Sequence, residues 1–154
     1  MIQLHPPLSG FPLSCIVLLV IVEVFSILAR SSDRVEWARR FLVFAVLLAT
    51  TAAFLSGYQA SSPLSEAPSP IQDALGLHHA VGRIMLINSI LLAAFALVAS
   101  RALHGKRVIQ SLYHLTVVIQ LGLALWVGSL GGSLVFDHAV GVRKPTAETA
   151  TATR

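Results

Sequence analysis

Apolar residues in this chain fall in four long blocks, at residues 11–29, 41–57, 80–100 and 108–130. Each block approaches the ~20 residues with which an α-helix crosses ~30 Å of hydrocarbon. A transmembrane β-barrel would show short alternating strands instead, and these blocks do not alternate. Helices in lipid satisfy their backbone polar groups internally, so the pattern predicts an all-α protein, an integral membrane four-helix bundle. The bundle is expected as one domain over residues 1–142. The tail, residues 143–154, is low in complexity and is expected to be disordered.

Polar stretches set the expected ends. The opening HPPLSGFPLS reads as an extended lead-in, with Pro12 tolerated in the first helical turn. No basic n-region or small-residue cleavage site marks the first block as a signal peptide, and it is read as a mature helix. Asp33 is placed to cap an amphipathic lead-in to the second segment, with Trp37 as an interfacial anchor. That segment is expected to end near Gly57 and Tyr58. Residues 59–70, with three prolines and four serines, read as loop, and residues 71–79 as a separate interfacial helix. Glycines within residues 128–133 are expected to break the fourth segment.

Composition agrees with a membrane protein. The 154 residues are 55% hydrophobic and 12% charged, against about 25% charged for a soluble domain. Net charge is +4, but its distribution argues against nucleic acid as a partner. Seven of the eleven basic residues sit in two short connections: Arg30, Arg34, Arg39 and Arg40 after the first segment, and Arg101, Lys106 and Arg107 after the third. Lys and Arg mark the cytoplasmic side, which puts both termini and the middle connection outside. Cys15 is alone and makes no CxxC motif, so it reads as a small apolar core residue.

On that topology four histidines gather at the outer face. His5 precedes the first segment, His78 and His79 open the third, and His138 follows the fourth. Imidazole suits iron, zinc and copper, and paired histidines hold redox haems. His78 and His79 point about 100° apart on a helix, so one faces the bundle. Arg83 shares a face with His79, four residues away, which makes His79 the expected inward one and Arg83 a partner for a haem propionate. The plainer alternative for these histidines is contact with headgroups and water. Glu23 and His114 form a second constellation, each about 9 Å from the inner boundary, with Gln110, Tyr113 and Gln120 adding polar groups on the fourth segment. An acid and a histidine at matching depth suit a proton path or quinone site. The alternative is a hydrogen-bonded pair that ties helices together. His104, in a basic connection, reads as solvated. No GxSxG, HExxH, P-loop or CxxCH occurs, so hydrolytic catalysis and covalent c-type haem have no support.

Two segments carry a family resemblance. HPPLSGFPL, at residues 5–13, resembles the opening of the DUF2231 family of bacterial membrane proteins, HP–two residues–VHFP. GGSLVFDHAVGV, at residues 131–142, resembles its closing motif, GG–x–LVY–x–HGVGV. His5, Pro6, Phe11 and Pro12 match the first, and Gly131, Gly132, Leu134, Val135, His138, Val140, Gly141 and Val142 the second. The second histidine of the opening motif falls at Gly10, so a site that used it in relatives would need His78 or His79 here. The resemblance implies a respiratory setting, because similar domains occur fused to Rieske or cytochrome c modules.

The resulting expectation is a bacterial inner-membrane electron-transfer subunit that binds haem b near the outer face. It would link the quinone pool to an outer-side redox protein. His79 and His138 are the first candidate ligands, with His5 and His78 as substitutes. As an enzyme the chain would be at most the electron-transfer subunit of a membrane oxidoreductase. A cofactor-free anchor or assembly subunit of a larger complex, and a metal-ion binder or transporter, are the alternatives. Against transport, polar residues at the midplane are few, and the second segment offers only Thr50 and Thr51 there.

Overall fold

The structure is a computed structural model and describes residues 5–28, 32–101 and 107–142. Arg30, the basic connection carrying His104 and Lys106, and the tail from residue 143 lie outside the described residues. Among the described residues four helices are long and apolar enough to cross a membrane: α2 (Phe11–Leu28), α3 (Asp33–Ser61), α4 (Ser69–Arg101) and α5 (Arg107–Phe136). A short helix, α1 (His5–Ser9), precedes them. Each long helix packs on its neighbours in the chain, α5 closes against α2, and α1 lies on α3. The architecture is an all-α membrane bundle.

Polarity is arranged for lipid. Ile16, Leu19, Val43, Val46, Met85, Leu92, Tyr113, Val117 and Ala124 form the core. Large apolar side chains such as Phe25, Phe44, Ile87, Val118 and Trp126 point outward. Water would penalise such a surface, whereas hydrocarbon solvates it. The polar side chains Glu23, Thr50, Asn88, Ser89, Thr116 and Gln120 are buried. Asn88 donates through Nδ2 to Gln120 Oε1 at 2.7 Å and to the Thr116 carbonyl at 3.0 Å, which joins α4 to α5.

Helix ends differ from several expectations, for local reasons. The HPPLS stretch is helical rather than extended, as prolines in a first turn permit. Ser32, not Asp33, is the residue before α3, and its side chain makes no capping bond. α3 runs through Gly57 and Tyr58 to Ser61, and a 3-10 turn, Ser62–Leu64, follows. Residues 71–79 are not a separate helix. They form the start of α4, whose Pro70 sits in the first turn. α5 passes through its glycines to Phe136.

Gly57 and Gly131 explain why those positions do not end helices. A Cβ on Gly57 would lie 2.8 Å from His5 Cε1, and one on Gly131 would lie 3.4 Å from His78 Cε1. Each glycine makes room for an imidazole from another helix. In lipid such close approach is a main use of glycine. α5 ends instead at a turn in which Val140 N–H bonds to the Leu134 carbonyl at 2.9 Å. Ala139 holds a left-handed φ of 53° there, a conformation that glycine adopts freely.

The Asn88–Gln120 bond predicts a measurable coupling. Asn88→Ala and Gln120→Ala should each destabilise the bundle by about 1 kcal/mol. The double variant should lose less than the sum, because both remove the same bond. Detergent-driven unfolding followed by circular dichroism reads this, and strict additivity would refute the coupling.

Candidate functional site

Polar chemistry collects at the two ends of the bundle. At one end α1 carries His5 onto α3, where its Nδ1 lies 3.1 Å from Ser56 Oγ. The Ser56 hydroxyl donates its only proton to the Ala53 carbonyl at 3.0 Å. With that proton on Ala53, the His5 tautomer that can donate to Ser56 carries its hydrogen on Nδ1, and that tautomer keeps its lone pair on Nε2. Burial holds the His5 imidazole below the usual histidine range, opposed by a hydrogen bond to the backbone at Ala53. A neutral ring, oriented through one nitrogen and open at the other, is what a metal ligand needs.

His78 comes from α4 into the same space. Its ring centre is 6.4 Å from that of His5, with the planes at 87°. Its Nδ1 is buried without a hydrogen-bond partner. His79 stands beside it, 6.2 Å from His78 and 6.2 Å from Tyr58, ring centre to ring centre. The interior member of the adjacent pair is thus His78, where the Arg83 face had pointed to His79. Arg83 is exposed and forms no ion pair among the described residues. Asp137, just after α5, accepts from Ser133 Oγ at 2.6 Å. His138 is half-buried in the turn after α5 and makes no ring contact with the other three. His5, His78 and His79 are brought together, and His138 and Arg83 stand apart.

At the other end the structure brings Glu23 and His114 together and adds residues the sequence reading left out. Arg39 Nε donates to Glu23 Oε1 at 2.9 Å, and Tyr113 Oη donates to the same oxygen at 2.6 Å. Arg39 also donates through Nη1 to Glu36 Oε2 and through Nη2 to Ser26 Oγ, both at 2.8 Å. Its guanidinium lies 6.0 Å from the Tyr113 ring centre. Arg40 braces Glu36 at 2.9 Å. Glu23 Oε2 is buried and has no hydrogen bond. His114 Nε2 lies 3.4 Å from it, an ion-pair distance when the imidazole is protonated.

Arg39 was assigned to a connection because the apolar block starts at Phe41. The signal that finds it is the helical spacing of Glu36, Arg39 and Arg40, which form i,i+3 and i,i+4 pairs on the extended α3. Asn88 had no sequence signal beyond one amide inside an apolar run.

A family described as "Predicted membrane protein (DUF2231)" matches residues 1–144, and the chain belongs to it. No curated protein and no solved structure matches. The chain is therefore a multi-pass membrane protein in contact with the lipid bilayer. Ala139 stands where the closing motif of the resemblance has glycine, and its left-handed backbone accounts for glycine there.

Glu23→Ala should cost about 2–4 kcal/mol, because it leaves Arg39 and Tyr113 without their shared acceptor. Glu23→Gln keeps an acceptor oxygen and should cost less than half as much. Unfolding in detergent compares the two, and equal losses would show that the charge, not the acceptor, holds this end.

Proposed function

We propose that this DUF2231 protein is a bacterial inner-membrane electron-transfer subunit whose histidine end holds haem b. The observation that carries the reading is the pair His5 and His78, each with an unused nitrogen in a half-buried setting. The two rings come from different helices with centres 6.4 Å apart, and His5 and His78 are the residues that would hold the haem iron. A bare zinc ion asks for three or four protein donors. Among the described residues no three His, Cys, Asp or Glu side chains are arranged to hold an ion. Haem iron brings four nitrogens of its own and needs only one or two from the protein.

In this reading His5 and His78 take the leading place, ahead of His79 and His138. Haem supplies reversible one-electron transfer when bound. Ser56 fixes the His5 tautomer, and Gly57 and Gly131 leave room for the two rings. His79 stands beside His78, with ring centres 6.2 Å apart, as the alternative ligand from α4, and His138 and Arg83 remain candidates from outside the cluster, Arg83 as a partner for a propionate. The basic connections at the opposite end support an outer position for the histidines. Electrons would pass there between the quinone pool and an outer-side redox protein.

Expression with supplied haem, followed by absorbance spectroscopy of the purified protein, tests this. A Soret band and a reduced α-band are expected, with both lost in His78→Ala. Gly57→Ala should weaken haem binding by displacing His5 while the helical content stays unchanged. A protein that folds but shows no Soret band with haem in excess is a cofactor-free anchor instead.

A further inference from the structure

We propose that Glu23 is a proton-loading site of the bundle, fed through His114. The inference is independent of haem. Its basis is the inequality of the two carboxylate oxygens. Oε1 accepts from both Arg39 and Tyr113. Oε2 is buried without any hydrogen bond, although the side chain is only 5% exposed. A carboxylate that served only to tie helices would have both oxygens bound. Here the free oxygen faces His114, whose side chain is 44% exposed and so reaches both the carboxylate and the surroundings of the bundle.

The groups around Glu23 allow it to lose its charge. Arg39 and Glu36 face it from α3, with Arg40 behind Glu36, and Tyr113 and His114 face it from α5. When Glu23 is protonated, Arg39 keeps Glu36 as its counter-charge through Nη1. Arg39 and Arg40 then share the one carboxylate of Glu36, so Arg39 stays in contact with a counter-charge, and the half-exposed Arg40 completes its solvation outside the bundle. The transfer takes the proton from Nε2 of the His114 imidazolium to Glu23 Oε2. The N–H bond breaks as the O–H bond forms, both charges vanish together, and neutral His114 would regain a proton from the aqueous phase at this end of the bundle, which the exposed Arg40 and its partner Glu36 mark. The 3.4 Å separation has to close to about 2.6–3.2 Å for the step. Further along the bundle Gln120 Nε2 and Thr50 Oγ1 are also buried without partners, so polar atoms continue beyond Glu23.

Infrared difference spectroscopy of the full chain in lipid nanodiscs tests the site. Lowering the pH should produce a protonated-carboxyl band that is absent in Glu23→Gln and kept in Glu66→Gln, a change at an exposed loop residue. After a pH jump, His114→Gln should slow the appearance of that band on the order of a hundredfold, with its final amplitude retained. A purely structural role for His114 would leave the rate unchanged and overturn the proposal. So would the absence of any Glu23 band over the pH range in which the helices persist. Should Glu23→Gln fail to fold, the His114→Gln rate on the native carboxyl decides.

Discussion

A carboxylate buried at membrane depth has to find partners within the bundle, and the register of three helices follows from how Glu23 does so. Transfer of an unpaired carboxylate out of water costs several kcal/mol even after relaxation. α3 answers with Arg39 and α5 with Tyr113, both on Oε1. Those two contacts pin α3 and α5 at one level against α2. Ser56 lies 17 residues beyond Arg39 and Gly131 lies 18 beyond Tyr113, so both sit about 25–27 Å further along their helices. They are the residues that receive His5 and His78. The charged end thus sets the level at which the histidine end is built.

Between the ends the bundle is held by means that suit lipid. Apolar burial gives little drive when the surroundings are themselves apolar, so packing and interhelical hydrogen bonds matter more. Asn88, Thr116 and Gln120 supply the bonds. Gly57 and Gly131 supply close approach, and because each sits in a continuous helix, its missing side chain serves the neighbouring imidazole rather than the backbone.

The four spans were legible because length and hydropathy alone decide whether a helix can cross a bilayer. The helix ends were less so. Proline and glycine read as breakers in isolation, yet Pro70 falls in a first turn and Gly57 and Gly131 pack against side chains distant in sequence. Matching depth brought Glu23 and His114 into one site on paper, and the structure has them 3.4 Å apart. Arg39 escaped because hydropathy placed the start of the second span at Phe41, eight residues after the helix begins at Asp33. The orientation of His78 and His79 escaped for a different reason. It depends on which helix neighbours α4 at that turn, and Arg83, taken as the inward marker, is exposed.

The separation of the two ends decides how strongly their chemistry can interact. A unit charge appearing at the histidines acts on Glu23 across about 26 Å. At an effective dielectric constant of about 20 this amounts to roughly 0.6 kcal/mol, about half a pKa unit. Direct electrostatics therefore leaves the two sites nearly independent, and a redox change at one would barely move proton affinity at the other. Stronger coupling would need matter that moves between them. Buried polar side chains, Gln120 and Thr50 among them, lie on helices that span that interval, and a relayed proton would pass through groups of that kind. A haem potential that varied steeply with the protonation of Glu23 would thus point to relay through the bundle and not to the field of a distant charge.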